Sequence, residues 1–312
     1  MVRSAGPDPS SVRLPGPWTH RAVSANGIRL HVAECDGGGP LVVLLHGFPE
    51  FWWAWRHQLS GLAEQGHRVV AADLRGYGDS DKPPRGYDLW TLAGDVAGLI
   101  RALGEPRADL VGHDWGGLVA WTVTALHPRL VRSLTAVAAP HPIALRDAMF
   151  RDPRGQGRAT ARYALAFQLP RWPERALKAD EGAGVERIMR GWAGPSWAAS
   201  DDFADAVARY RRAIAVPGVV HSALEYYRWA LRSQFRAEGR RFAAAVARIP
   251  DVPVLQVHGA ADPCVLVGTA AASKRWAGPH HRLHVVADTG HFPHEERPAD
   301  TTALLREFLS AV

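Results

Sequence analysis

An aspartate lies where the chain could hold a nucleophile between a strand and a helix. The apolar residues 108–111 predict a buried strand, and residues 118–126 predict a helix. Between them, Gly112-His113-Asp114-Trp115-Gly116 has the spacing of a nucleophile elbow, a sharp turn that holds a reactive side chain above a parallel sheet. Glycine suits both ends of this turn, because a Cβ there would crowd the strained residue and keep the helix from approaching the strand.

The nucleophile at this elbow would be Asp114 instead of the usual serine, and this exchange changes the chemistry. An aspartate carboxylate has a reference pKa of about 3.9, so it is ionised at neutral pH without the help of a base. It can attack a saturated, electrophilic carbon, and the resulting ester keeps a carbonyl that water can attack, whereas serine would leave an inert ether. Asp114 therefore predicts alkyl transfer followed by ester hydrolysis. The alternative role is to cap the helix that follows.

Two further residues fall where a catalytic triad needs them. Asp262 follows a predicted strand at residues 252–257, and His291 follows the last predicted strand at residues 283–286. Nucleophile, acid and histidine occur in this chain order in α/β-hydrolases. His291 could deprotonate a water molecule, and Asp262 could fix its tautomer and stabilise the imidazolium. Taken alone, Asp262 could be a turn residue and His291 a surface histidine. His113 is a weaker candidate for the base and fits better as a packed residue that shapes the elbow.

The segment that follows the predicted strand at residues 41–45 could complete the site. In hydrolases of this architecture, this loop and the residue after the nucleophile each supply one backbone N–H of the oxyanion hole, which assigns Phe48 and Trp115. The tight turn before a helix also favours a cis bond between Phe48 and Pro49. We expect the substrate pocket to be lined by His46, Phe48, Pro49, His113 and Trp115.

The elements that position these residues alternate as in a parallel α/β sheet. After a hairpin at Asn26-Gly27, strands and helices follow in turn up to about residue 141. Residues 142–245 show helical patterns without a clear buried strand, and the strand pattern resumes afterwards. We therefore predict an α/β core domain of residues 18–141 and 246–312. We also predict a helical cap of residues 142–245 that excludes water from the site, and a flexible arm at residues 1–17.

Composition argues against several classes of protein. The chain has 312 residues, 47% hydrophobic and 22% charged, and no apolar run reaches the length needed to cross a bilayer. Two cysteines, Cys35 and Cys264, provide neither a disulfide framework nor a zinc pattern, and the N-terminus lacks the apolar core of a signal peptide. The net charge of +6 comes from scattered arginines, so we expect no nucleic-acid or membrane partner. We expect a cytoplasmic protein with neither a metal nor an organic cofactor.

The motifs together resemble the epoxide hydrolases of the α/β-hydrolase fold. The resemblance covers residues 18–310 and is carried by His46-Gly-Phe-Pro-Glu-Phe-Trp, Asp73-Leu-Arg-Gly-Tyr-Gly-Asp-Ser-Asp-Lys-Pro, Gly112-His-Asp-Trp-Gly-Gly and Gly290-His-Phe. It implies a mostly parallel, eight-stranded sheet flanked by helices, with an inserted helical cap. It also implies that a small-molecule epoxide and water become a vicinal diol through an ester on Asp114, without a cofactor.

The resemblance further implies two cap tyrosines that hold the epoxide oxygen. By local match, Tyr163 in Tyr-x-x-x-Phe-Gln fits the first position and Tyr227 in Tyr-Tyr-Arg fits the second, for which Tyr226 is the alternative. Charge develops on the epoxide oxygen as the ring opens. A phenol, with a reference pKa of about 10, can donate a hydrogen bond to this oxygen and then a proton.

A dehalogenase that acts on haloalkanes or haloacetates is the nearest alternative, because it uses the same nucleophile, acid and histidine. Haloalkane dehalogenases usually have Asn where Phe48 lies, and haloacetate dehalogenases usually have Arg where Trp115 lies. The two cap tyrosines also favour the epoxide. A non-catalytic ligand-binding protein on this fold is a more remote alternative, and the intact triad argues against it. A homodimer is compatible with either enzyme.

Overall fold

In a computed structural model of the chain, which describes residues 6–312, eight strands form one sheet. They are β1 (Thr19–Ala25), β2 (Ile28–Asp36), β3 (Leu41–Leu45), β4 (Arg68–Ala72), β5 (Ala108–His113), β6 (Val131–Val137), β7 (Val254–Gly259) and β8 (His281–Val286). Their order across the sheet is β1-β2-β4-β3-β5-β6-β7-β8. β2 pairs antiparallel with β1 and β4, and all other neighbours are parallel. The predicted mostly parallel, eight-stranded sheet is confirmed.

The burial of the strands follows their place in the sheet. Every residue of β3, β5 and β7 is buried, as expected for strands covered by helices on both faces. The edge strand β1 instead has mixed burial. It is joined to β2 by Asn26 and Gly27, which both have positive φ angles (48° and 77°), as a two-residue hairpin turn requires.

Helices cover the sheet and fill the segment between β6 and β7. The α-helices of the described residues are α1 (Arg56–Ala63), α2 (Leu89–Ala102), α3 (Trp115–Leu126), α4 (Pro142–Arg151), α5 (Gln156–Ala164), α6 (Trp172–Trp192), α7 (Pro195–Ala198), α8 (Asp201–Ile214), α9 (Val219–Ser233), α10 (Ala237–Val246), α11 (Val267–Ala272), α12 (Pro293–Glu296) and α13 (Pro298–Ser310). Helix α6 is interrupted by non-helical residues at 179–182. Short 3-10 helices lie at Pro9–Val12, Trp52–Trp55, Pro128–Leu130, Ala166–Gln168 and Ser273–Trp276. None of the described helices is both long and apolar enough to cross a membrane.

Helices α4 to α10 lie between β6 and β7, in a part of the chain where the structure shows no strand. Their buried faces belong to the same hydrophobic core as the sheet. In α8, for example, Phe203, Ala206 and Tyr210 recur at helical spacing and are all fully buried. The division into a core domain and a cap domain at residues 141/142 and 245/246 stays a prediction.

The predicted N-terminal arm, residues 1–17, lies partly outside the described residues. In the described part, Val12 is only 2% exposed, and its carbonyl accepts a hydrogen bond from Trp52 Nε1 at 2.9 Å. Arg13 Nε donates to Asp79 Oδ2 at 2.7 Å. This part therefore packs on the core, which differs from the flexible arm that we expected. The Pro-, Ser- and Gly-rich composition does not show that one valine and one arginine anchor the segment.

Candidate active site

Asp114 lies in a strained turn between β5 and α3. Its backbone angles, φ 47° and ψ −117°, are costly for a residue other than glycine. The flanking glycines permit the turn. A Cβ on Gly112 would collide with the carbonyl of Gly116, and a Cβ on Gly116 would collide with the carbonyl of Leu45. The Asp114 side chain makes no hydrogen bond to the first turn of α3, so the alternative role as a helix cap is not observed. The carboxylate is free to face the space above the sheet.

His291 connects Asp114 to Asp262. The Nδ1 atom of His291 lies 2.8 Å from Asp262 Oδ2, and its Nε2 atom lies 3.6 Å from Asp114 Oδ2. The other oxygen of Asp262 accepts the N–H groups of Cys264 and Val265, at 2.7 and 3.0 Å. These bonds fix the carboxylate, which accepts Nδ1–H and leaves Nε2 directed at the nucleophile. Asp114, Asp262 and His291 thus come together as we predicted.

The charges around His291 favour its protonated form. Burial by itself would lower the pKa of this imidazole, but the carboxylates of Asp262 and Asp114 outweigh burial and raise the pKa to about 10. Burial also acts to raise the pKa of Asp262, but His291 holds that pKa below its ordinary value. At neutral pH, His291 is therefore an imidazolium that lies between the carboxyl groups of Asp262 and Asp114.

Tyr163 and Tyr227 line the same cavity as Asp114 and His291. Their ring centroids are 5.9 Å apart. Burial, with a further contribution from the Asp114 charge, raises the pKa of both phenols well above the ordinary value, so both stay protonated and able to donate. Tyr226 is directed elsewhere, because its hydroxyl donates to the carbonyl of Arg75 at 2.7 Å and its side chain is not part of the cavity wall. The structure therefore places Tyr227, and not Tyr226, beside the nucleophile.

The cavity has a volume of about 140 Å³ and lies between the carboxyl ends of the strands and helices α4, α5, α9 and α10. Much of its wall is aromatic and is formed by Trp115, Tyr163, Trp192, Tyr227, Trp229 and Phe242. A mostly apolar wall with a few convergent polar groups is typical of a site for a small organic molecule. The reactive carboxylate lies at the point where this wall meets the sheet.

Of the five residues that we expected to line the pocket, Trp115 does so, and His46, Phe48, Pro49 and His113 are not in the cavity wall. The ring of His46 is fully buried, where Nδ1 contacts the carbonyl of Gly47 and Nε2 accepts the N–H of Leu74. His113 lies beneath the site, 2.8 Å from the carbonyl of His291. The ring of Phe48 packs behind Tyr227, with centroids 5.5 Å apart. The prediction that these four side chains line the pocket is therefore wrong.

The loop that contains Phe48 runs directly beside the nucleophile. A Cβ on Gly47 would lie 2.6 Å from the Cβ of Asp114. The Phe48–Pro49 bond is cis, as predicted. Within the described residues, the N–H of Phe48 has no backbone acceptor, and the N–H of Trp115 belongs to the first turn of α3, where no preceding turn can accept it. Both groups are therefore available as donors close to Asp114.

Sequence reasoning missed a buried polar cluster beneath the triad. Glu50 Oε2 accepts the N–H of Gly47 at 2.9 Å and lies 2.8 Å from His113 Nδ1, and Glu50 Oε1 lies 3.2 Å from His294 Nε2. Burial opposes the charge of Glu50, but His113 and His294 hold its pKa well below the ordinary value. The signal was present in the motifs His46-Gly-Phe-Pro-Glu50 and Gly290-His-Phe-Pro-His294, but chain position alone did not reveal that the two motifs meet.

Two groups of buried side chains among the described residues have potential metal-ligating atoms within 4.8 Å of one another. The groups are Glu50, His113 and His294, and Asp262, Cys264 and His291. In both groups, hydrogen bonds or ion pairs already join the imidazoles to the carboxylates. We assign no metal to either group.

Comparison with known proteins identifies the family of this chain. A family model described as the alpha/beta hydrolase fold matches residues 40–298. The chain therefore belongs to the α/β-hydrolase family.

Within that family, its relatives include several epoxide hydrolases. Epoxide hydrolase A of Mycobacterium tuberculosis is 31% identical over 95% of this chain and 99% of its own length. AB hydrolase superfamily protein YfhM of Bacillus subtilis is 35% identical over 92% of this chain and 96% of its own length. Among solved structures, epoxide hydrolase A from Mycobacterium thermoresistibile has a TM-score of 0.81 and 29% identity, covering 94% of this chain and 98% of that one.

Proposed function

We propose that this protein is an epoxide hydrolase that forms a covalent ester on Asp114. The observation that carries the proposal is the arrangement of one carboxylate, one imidazole and two phenols around a single apolar cavity. Two of the relatives named above are called epoxide hydrolases, at about 30% identity over nearly full length, and they support the same activity.

In the first half-reaction, a carboxylate oxygen of Asp114 attacks one carbon of the epoxide ring. The bond between that carbon and the epoxide oxygen breaks, and the electron pair goes to the oxygen. Tyr163 and Tyr227 donate hydrogen bonds to this oxygen, and one of them transfers its proton as the charge develops. The product is a hydroxyalkyl ester of Asp114 and one tyrosinate.

Between the two half-reactions, the His291 imidazolium passes its proton through water to the tyrosinate. The neutral His291 then takes a proton from a water molecule, which attacks the carbonyl carbon of the ester. The N–H groups of Phe48 and Trp115 stabilise the tetrahedral oxyanion. Its collapse breaks the ester bond, releases the vicinal diol and restores the Asp114 carboxylate. The hydroxyl proton of the intermediate goes to the departing alkoxide, and His291 keeps the proton from water, which restores the resting imidazolium.

Ester formation also prepares His291 for its role. An imidazolium cannot accept a proton, and the Asp114 charge is one of the causes that hold His291 in that form. The ester is neutral, so this cause is lost when the ring opens. The pKa of His291 then falls toward the range in which the neutral imidazole can act as a base.

Trapping of the ester tests the proposal against its alternatives. A His291→Gln variant should form the ester and hydrolyse it slowly. Incubated with styrene oxide, it should gain the whole mass of the epoxide, and the gain should disappear when Asp114→Asn is added. A gain from a matched bromoalkane alone, equal to the alkyl group without bromide, would identify a dehalogenase. No adduct from either compound, together with no turnover by the natural chain, would favour the ligand-binding protein.

We further propose a small, largely apolar epoxide as the substrate, because the cavity wall is mainly apolar. The cytoplasmic location and the absence of nucleic-acid and membrane partners stay predictions from the sequence, which leaves the oligomeric state open and a homodimer possible.

A further inference from the structure

One carboxylate binds the backbone on both sides of the catalytic histidine. Glu296 Oε2 accepts the N–H of Gly290 at 2.9 Å, and Glu296 Oε1 accepts the N–H of Phe292 at 3.1 Å. The same Oε2 also accepts the N–H of Gly194 at 2.9 Å, which belongs to the linker between α6 and α7. Glu296 thus joins the loop of His291 to a segment of the predicted cap.

The two segments are also in direct contact. The N–H of His291 donates to the carbonyl of Trp192 at 2.9 Å, and the two side-chain rings meet edge to face with centroids 5.4 Å apart. A Cβ on Gly290 would lie 2.7 Å from the carbonyl carbon of Ala193, so the backbones pack closely. The position of residues 192–194 and the position of His291 are therefore mechanically linked.

The chemistry of this junction calls for a carboxylate. Three N–H donors converge on the side chain of Glu296, and a carboxylate offers acceptor sites on both oxygens without a donor that would oppose them. Burial raises the pKa of Glu296, while these three N–H groups act to lower it. Glutamine would direct an amide N–H₂ at one of the backbone donors, which would break at least one bond.

We propose that Glu296 is a positioning residue for the general base, and that it couples the segment 192–194 to the placement of His291 for ester hydrolysis. The proposal rests on the proposed function. Glu296 is not in the cavity wall, so it acts through the backbone of residues 290–292 and not by touching the substrate.

The first half-reaction should depend on Glu296 much less than the second. Asp114 is held by its own elements, since its N–H donates to the carbonyl of Val137 at 3.1 Å and its carbonyl accepts from Leu118 at 2.9 Å. Neither bond involves the loop of His291. The hydrolytic step instead requires Nε2, a water molecule and the ester carbonyl to be aligned, and such alignment is sensitive to small displacements.

The test compares Glu296→Gln with Glu307→Gln, a matched change at an exposed glutamate of α13. Single-turnover reactions with styrene oxide are quenched at intervals, and the ester-bearing protein is measured by intact mass. We expect Glu296→Gln to alkylate within about twofold of the natural rate and to hydrolyse the ester roughly 10 to 100 times more slowly, so that the ester accumulates. The control should match the natural protein in both steps.

The conservative variant Glu296→Asp keeps the charge and should recover part of the hydrolytic rate. It also keeps the proposal testable if Glu296→Gln does not fold. Equal losses of rate in both half-reactions, or an unchanged rate of hydrolysis in a folded variant, would overturn the proposed role of Glu296. Neither result would contradict the proposed epoxide hydrolase activity. Failure of the natural protein to form any diol would instead overturn the proposed function.

Discussion

Replacing Asp114 with asparagine should lower the pKa of His291 by a measurable amount. His291 Nε2 lies 3.6 Å from Asp114 Oδ2, and the Asp114 carboxylate is one of the groups that raise the pKa of His291 to about 10. Asparagine keeps nearly the same shape but carries no charge. The variant therefore reproduces the electrostatic state of the ester, in which Asp114 is also neutral.

The size of the change follows from the distance. Two unit charges 3.6 Å apart interact with roughly 4 to 5 kcal/mol at an effective dielectric constant of about 20. Each pKa unit corresponds to about 1.4 kcal/mol, so removal of the Asp114 charge should lower the pKa of His291 by roughly three units if nothing screens the interaction. We expect a smaller shift of about two units, because the Asp114 side chain is 13% exposed and solvent screens part of the interaction.

The assay is a titration of the His291 imidazole by nitrogen-correlated NMR, with the signal assigned through its loss in His291→Gln. The natural protein should keep the protonated signal up to about pH 10, and Asp114→Asn should lose it at a pH about two units lower. In the natural protein, the rate of ester hydrolysis should rise with pH as the imidazole of His291 becomes neutral, and this rate should then level off. An unchanged His291 pKa in Asp114→Asn would refute the idea that ester formation switches the base on.

Five further substitutions test the roles within the site and the packing that holds it. Tyr163→Phe and Tyr227→Phe should each slow alkylation by about 10²-fold in single-turnover assays, because each removes one hydrogen-bond donor to the developing oxyanion. Tyr226→Phe should leave the alkylation rate unchanged and lower the free energy of unfolding in urea by about 1 kcal/mol. Asp262→Asn should slow ester hydrolysis by roughly 10⁴-fold because it favours the wrong His291 tautomer, and the ester should be detectable by mass spectrometry. Gly116→Ala should destabilise the protein by several kcal/mol in thermal melts, since its Cβ would meet a strand carbonyl; a melting temperature equal to that of the natural protein would contradict this packing.

The sequence was sufficient to predict those parts of the site that depend on strand ends. In a parallel sheet, the carboxyl ends of the strands lie at one edge, so the loops that follow β5, β7 and β8 lie on the same side of the sheet and can bring their residues together. Asp114, Asp262 and His291 were predicted on that ground, and the structure brings them within hydrogen-bonding or ion-pair distance.

Side-chain direction was harder to predict, because it depends on packing between segments far apart in the chain. His46 and His113 flank the site in sequence, but each is turned inward by backbone partners, the N–H of Leu74 and the carbonyl of His291 respectively. The choice between Tyr226 and Tyr227 had the same difficulty, since adjacent helix residues point about 100° apart and only the position of α9 decides which of them faces the cavity. Glu296 was overlooked because its partners are backbone N–H groups, which leave no mark on the sequence.

In the proposed mechanism, the two chemical steps make opposite demands on the same few atoms. Alkylation needs an ionised nucleophile in an apolar cavity, where the charge of the carboxylate is poorly solvated and the imidazolium of His291 offsets it. Hydrolysis needs that imidazole to be neutral. Because Asp114 itself supplies part of the field that keeps His291 protonated, its conversion to the proposed ester would remove that contribution and favour the neutral imidazole. A serine in place of Asp114 would be neutral in both states and could not produce this change in the base.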